Sequence, residues 1–449
     1  MQAAIVQNEP VISVGILAAA EIRFRLRGVF TSTQQTTLSD TDEVVSLKEG
    51  KLTWRDGLFT ELLFAPENEA EGIFTLADVS IGIRFHWERK EEQSFRGSLR
   101  FIATGEGVQA INLINVESYL KSVIASEMNG NAPKAFLKAH AVISRGWLLA
   151  QIEKKNEAPH KKATPCHCRE KEENTHIKWY DREDHSLFDV CADDHCQRYQ
   201  GITRALSPQV IEAIEETRGE VLIYADRVCD TRFSKCCGGL TEEFQYCWEA
   251  REHPYMPSIA DGLSAPVTLS SEAEAEAFIL SRPKAFCSNP PKDVLRQVLN
   301  DYDCETTDFY RWQQVYTQTE LSELLLKKSG IDFGKVKTIT PLKRGKSGRI
   351  YELKIEGSRH TAVFGKELEI RRVLSGSHLY SSAFTVTAGN PDNDGFPQQF
   401  TLCGAGWGHG VGLCQIGAAV MGSSGYSYNE ILRHYYPSSL LKQLYEQAD

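Results

Sequence analysis

Asn115-Val116-Glu117-Ser118-Tyr119-Leu120-Lys121-Ser122-Val123-Ile124-Ala125-Ser126-Glu127-Met128 sets apolar side chains at 116, 119, 120, 123 and 124, one stripe at α-helical spacing. The stripe predicts a helix over Val116 to Met128. A second helical pattern runs from Pro133 to Lys155, and Asn129-Gly130-Asn131 breaks the two apart, so the pair reads as a helical hairpin. Glu127 falls on the apolar stripe. A carboxylate there is drawn into a poorly solvating setting that raises its pKa, as a general acid near neutral pH requires. The plainer reading is that Glu127 ends the helix at the edge of the stripe, exposed or paired with a base such as Arg145. Glu117, in the first turn, reads as a capping-type residue.

Working outward, residues 11–115 hold short alternating or apolar runs, such as Ile12-Val14-Ile16, Ile81-Ile83-Phe85 and Leu99-Phe101-Ala103, and read as mainly β. After the hairpin, Lys154 to Asp194 is polar and rich in His and Cys, and has too little apolar content to bury a core of its own. A helix over Pro208 to Thr217 and a strand over Glu220 to Ala225 follow. Leu263 to Asp308 shows weak periodicity and reads as an insertion, ahead of a helix at Thr319 to Lys328 and strands around Val336 to Ile355. The fold class is therefore α+β, divided as a β-rich part (1–110), a core carrying the hairpin and a His/Cys-rich loop at 154–196 (111–262), the insertion (263–308) and a glycine-rich C-terminal part (309–449).

The chain has 449 residues, 41% of them hydrophobic and 24% charged, enough to bury a large core. A net charge of −10 argues against a general nucleic-acid binder. No run reaches the roughly 18 apolar residues of a membrane helix, and Met1 to Pro10 lacks the basic start of an export signal. Twelve cysteines are unusual. His185, Cys191, His195 and Cys196 lie within twelve residues, after Cys166-His167-Cys168. Thiolate with imidazole suits tetrahedral zinc in a structural role, on His185, Cys191 and Cys196 with His195, Cys166 or Cys168 as the fourth ligand. A Cys191–Cys196 disulfide is the alternative. For Cys229 to Cys247 no chemistry is preferred.

Gly404, Gly406, Gly408, Gly410 and Gly412 recur at every second position, which opens one face to a flat sugar or to tight packing of the strand against a helix, with equal weight. An extended backbone would turn Trp407 and His409 to the other face, with Gln415 adding an amide. His140 shares a face with Phe136, Ile143 and Trp147 and reads as a core histidine.

Several of these blocks together resemble the SpoIID/LytB family. They are Tyr119-Leu120, Glu127-Met128, Pro133 and Ala135-Phe136-Leu137-Lys138-Ala139 with Arg145; Phe233-Ser234 and Cys237-Gly238-Gly239-Leu240-Thr241-Glu242; Ser347-Gly348-Arg349; Gly406 to Ala418; and Ile431 to Pro437. They keep the family's order over roughly residues 95 to 440. The sequence departs from the pattern at Asn129 for Pro, at His140 for Gln, and at Cys236, Cys237 and Cys414 where relatives carry Ser. The resemblance implies a SpoIID/LytB-like fold and peptidoglycan glycan strands as partner, in the cell envelope. It also implies either a lytic transglycosylase with Glu127 as the catalytic acid or a non-catalytic enhancer of a cell-wall amidase. Read from the residues, Tyr119 and Arg145 support Glu127 in a substrate site or are equally structural, while Trp407, His409 and Gln415 are candidate sugar contacts. Some members carry zinc in the region of the His185 group. A zinc hydrolase would need an open metal position, and no His-Glu-x-x-His arrangement supports one.

Overall fold

Residues Glu21–Ser32 alternate exposed and buried side chains, as a strand with one face on a core must. The alternation slips between Leu26 and Val29, where Gly28 adopts φ +78° and lets the strand bulge. In this computed structural model the described residues are 8–81, 89–105, 107–128, 130–157, 167–169, 174–179, 185–193, 195–203, 207–262, 264, 267–298 and 309–446. They form an α+β fold in two compact units. The first takes residues up to 159 with 185–221 and 441–449, and the second takes 160–184 and 222–440.

The first unit is built on a mainly antiparallel sheet that includes Val11–Ala19, Glu21–Ser32, Thr37–Lys48, Glu61–Pro66, Ser98–Ala103 and Val108–Asn115. Val108–Asn115 pairs with Val11–Ala19 and runs straight into helix α1, Val116–Glu127. Position 110 is thus the middle of a strand, and the expected boundary there gives way to one continuous unit. Helix α2, Lys134–Glu157, and helix α3, Pro208–Glu215, complete this layer. The core has an aromatic column: Phe74 stacks on Phe95, Phe95 on Tyr199, and Tyr199 on Tyr119 of α1, with centroids 5.3, 5.8 and 5.0 Å apart.

The expected stripe of α1 is buried, and burial extends to Glu117, Ser122 and Ser126. Glu117 is accordingly not a surface cap. The backbone N–H of Glu117 donates to the Glu9 carboxylate at 2.7 Å, while its own side chain turns inward.

The second unit contains the sheet Val336–Arg344, Ile350–Gly357, Thr361–Gly365 and Thr175–Trp179, and the sheet Arg311–Thr317, Phe384–Pro391 and Pro397–Ala405. Helix Gln318–Ser329 carries a Thr317/Glu320 capping box and ends at Gly330 with φ +76°. The 263–308 stretch is more regular than expected. Glu272–Leu280 is a helix with a Ser271/Glu274 capping box, and it buries Ala275, Phe278 and Ile279; Lys292–Val298 is another. Helices of nine and seven residues are too short to show a clear period. Residues 299–308 lie outside the described residues, as does Asn129.

Candidate functional site

Glu127 is the last residue of α1, and its side chain is half-buried. Its Oε1 accepts the backbone N–H of Arg198 at 3.0 Å. The segment that supplies this N–H lies across α1 and α2 on polar contacts. Tyr119 Oη donates to Gln197 Oε1, Gln197 Nε2 to the Ser144 carbonyl, and the Gln200 N–H to Ser122 Oγ at 3.1 Å. Tyr199 Oη donates to Asn112 Oδ1 at 2.6 Å. The Glu127 carboxylate is therefore held by a segment that is itself fixed residue by residue.

Directly before that segment lies the His185 group. The donor atoms of His185, Cys191, His195 and Cys196 all fall within 4.8 Å of one another. His185 Nε2 is 3.2 Å from His195 Nδ1, and Cys196 Sγ is 3.7 Å from it. Neither cysteine is in a disulfide, and the Cys191 N–H donates to Cys196 Sγ at 3.3 Å. His195 is thus the fourth member that the structure brings to the group. Cys166 and the side chain of Cys168 lie outside the described residues. His176 belongs to the second unit, where its ring stacks on Phe364 at 5.5 Å.

Arg145 and Tyr119, expected near the sugar, are both fully buried in the first unit. The Arg145 guanidinium is bidentate on Glu117, through Nε at 2.9 Å and Nη2 at 2.6 Å, and does not pair with Glu127. Its Nη1 donates to the Glu220 carbonyl, and Glu117 also accepts from Gly219 N and Tyr445 Oη. Burial removes both residues from direct ligand contact. They set the position of α1 instead. His140 is likewise buried, with Phe136 at 5.6 Å and Ser144 Oγ at 3.2 Å, as a core histidine should be.

In the second unit the glycine segment is not an extended strand. Strand Pro397–Ala405 ends before it, and Gly406, Gly408, Gly410 and Gly412 all have positive φ between +71° and +92°. The open face is filled from within. A Cβ on Gly410 would lie 2.4 Å from Arg349 Cζ, and one on Gly412 would lie 2.0 Å from the Arg232 carbonyl oxygen. Close packing is the reason for the glycines, and the expectation of a free face for a sugar is corrected. Arg349 is buried and donates to the carbonyls of Gly408 and Cys237 and to Ser347 Oγ. Ser347 Oγ in turn donates to Glu242 at 2.6 Å. Burial pushes the Glu242 carboxyl up, against the pull of those bonds. Three of the family-like blocks, at 237–242, 347–349 and 406–412, therefore meet on one guanidinium. Local pattern does not announce this meeting, because Arg349 lies in a short polar turn.

Trp407 is partly exposed, with Phe309 stacked on it at 4.9 Å and Tyr380 edge-on at 5.2 Å. His409 lies edge-on to Trp248 at 4.9 Å and accepts the Val411 N–H at Nδ1. Burial, with the guanidinium groups of Arg232, Arg349 and Arg371, holds His409 well below the ordinary imidazole range, so the ring is neutral with its proton on Nε2. Gln415 is buried at the start of helix Gln415–Ser423 and is removed from the expected surface set.

The pattern of the family described as stage II sporulation protein matches residues 104–224, which carry α1, Glu127 and the His185 group. Over this stretch the chain is similar to the SpoIID family, and the amidase-enhancer relative points the same way. Residues 242–412 match a domain of unknown function. An uncharacterized protein of Brachyspira hyodysenteriae is 26% identical over 343 residues, covering 76% of this chain and 70% of that protein. The amidase enhancer of Bacillus subtilis (strain 168) is 24% identical over 243 residues, 51% of this chain and 32% of the relative, so the match spans about a third of that longer protein. Among the described residues no helix is long and apolar enough to cross a membrane.

Proposed function

We propose that this chain acts on the peptidoglycan of the bacterial cell envelope, as a lytic transglycosylase with Glu127 as its acid and base. The observation that carries this reading is the state of Glu127. It is a half-buried carboxylate at the end of a largely buried helix, with one oxygen fixed by the Arg198 N–H. Such a group is oriented by the protein and is not sealed away in the core.

In the reaction, the protonated Glu127 gives its proton to the glycosidic oxygen as the C1–O bond breaks. The resulting carboxylate takes the proton from the sugar's own 6-hydroxyl as that oxygen bonds to C1. An anhydro-ended sugar forms and Glu127 is returned to its acid form. No water nucleophile enters, so the second carboxylate of a hydrolytic glycosidase is not required.

The His185, Cys191, His195 and Cys196 donors suit a tetrahedral zinc ion, two thiolates and two imidazoles on one short stretch. Bound there with four protein ligands, the ion would supply a structural tie rather than an open coordination position. The chain's own part follows from sequence order: Cys196 precedes Gln197 and Arg198, so fixing the cysteine fixes the N–H that orients Glu127.

The likeness to an amidase enhancer favours a second reading, a glycan-binding module that stimulates a cell-wall amidase without cutting. Mass spectrometry of fragments released from intact and peptide-stripped peptidoglycan separates the two. Anhydro-ended sugars from the wild type, absent with Glu127→Gln, establish the transglycosylase. Glycan binding by both proteins with release by neither leaves the enhancer.

A further inference from the structure

We infer that the second unit holds a zinc ion of its own, bound by Cys237, Asp261, Cys287 and Cys414. This goes beyond the transglycosylase reading and does not depend on it. The four donors come from four separate stretches: the turn leading into Gly238-Gly239 after strand Phe233–Ser234, the Asp261-Gly262 turn, the 263–308 stretch, and the N-cap of helix Gln415–Ser423. Their ligand atoms nonetheless all lie within 4.8 Å of one another. Cys237 Sγ is 3.6 Å from Cys287 Sγ and 3.2 Å from Asp261 Oδ2. Zinc–sulfur bonds of about 2.3 Å in a tetrahedron put neighbouring sulfurs about 3.8 Å apart, which is the separation expected around one shared ion. A disulfide would bring them to about 2.05 Å.

Three of the donors are also aimed. Asp261 keeps Oδ2 towards Cys237, while its Oδ1 accepts from Tyr435 Oη at 2.7 Å and His434 Nε2 at 3.2 Å. One carboxylate oxygen is thus left for an ion, and the other is held by outer partners, as around metal ligands generally. Backbone N–H groups point at the sulfurs: Gly239 N at Cys237 Sγ, and Cys237 N and Gly417 N at Cys414 Sγ, at 3.3 to 3.4 Å. Gly238 and Gly239, at φ +80° and +104°, make the turn that brings this about, and a Cβ on Gly417 would lie 2.6 Å from Asp261 Oδ2. The four residues are 0–2% exposed. Deprotonated to ligate, three thiolates and a carboxylate packed out of water need a cation to share, and soft thiolates with one carboxylate suit zinc. Four protein ligands make the site structural, fastening the Cys287 stretch to the body of the unit.

The test uses the full chain carrying Cys191→Ser and Cys196→Ser, which silences the His185 group whether or not that group binds metal. After dialysis, elemental analysis of this background should find about one zinc per chain. Adding Cys287→Ser or Asp261→Ala should abolish it, with circular dichroism unchanged in at least the milder variant. Because these variants can unfold, the background protein is also loaded with cobalt(II), where an intense sulfur-to-cobalt absorption band is expected. A background protein without stoichiometric zinc and without that band overturns the inference, as does an intact mass showing a Cys237–Cys287 disulfide.

Discussion

Replacing Arg145 by Met should strongly destabilise the first unit. Glu117 and Arg145 are 1% and 0% exposed, and the carboxylate accepts from Arg145 Nε and Nη2, Gly219 N and Tyr445 Oη. In Arg145→Met the carboxylate keeps two neutral donors and loses its only charged partner in this set, and the Glu220 carbonyl loses the donor at 2.8 Å. Stranding one member of a buried pair costs about 3–5 kcal/mol, and at about 1.4 kcal/mol per tenfold this is roughly a hundred- to several-thousand-fold in the unfolding equilibrium. Glu117→Leu with Arg145→Met strands no charge and should cost less than Arg145→Met alone. Hydrogen exchange of peptides covering α1 and α2, followed through a urea series, reports this unit without assuming that the whole chain unfolds in one step. A loss below about 1 kcal/mol for Arg145→Met, or a double variant no better than the single, would refute a charged, dry pair.

Gly410→Ala combines φ +77° with a Cβ 2.4 Å from Arg349 Cζ, so it should destabilise the second unit by about 2 kcal/mol or more. Gly389→Ala, with nothing within 4 Å of its Cβ, should stay within about 0.5 kcal/mol in the same denaturation assay. Burial, and then Arg371, Lys328 and Arg372, bring His378 down from 6.5 to about 4. Unfolded chains take up that proton below 6.5 and the folded one only near 4, so stability is full above 6.5 and declines as pH falls through this window; His378→Asn should flatten that part of a melting-temperature profile against pH. Tyr199→Phe leaves Asn112 Oδ1 without its 2.6 Å donor and should cost about 1–3 kcal/mol in urea titration, while a cost near zero would mean that water replaces the hydroxyl.

Local periodicity was enough for much of the scaffold. The stripe at 116, 119, 120, 123 and 124 placed α1 to within a residue of its end, and the alternation of residues 11–115 announced a β-rich part. The His185 group was legible because its four donors lie within twelve residues, where a single loop suffices to gather them. Glu127 stood out because a carboxylate on an apolar stripe conflicts with its surroundings.

Other features depended on which distant segments pack together, and no pattern of near neighbours contains that information. Glu117 looked like a surface cap until residue 445, 328 positions away, closed over it with a phenol. Alternating glycines fit a ligand face as well as a packed one until Arg349 was found filling it. Cys237 and Cys414 are 177 residues apart, and with Asp261 and Cys287 they have no motif spacing at all. A helix or strand is a property of a short stretch and its period. A buried charge pair or a metal cage exists only once separate stretches have excluded water from the same few ångströms, and that is decided by the tertiary fold.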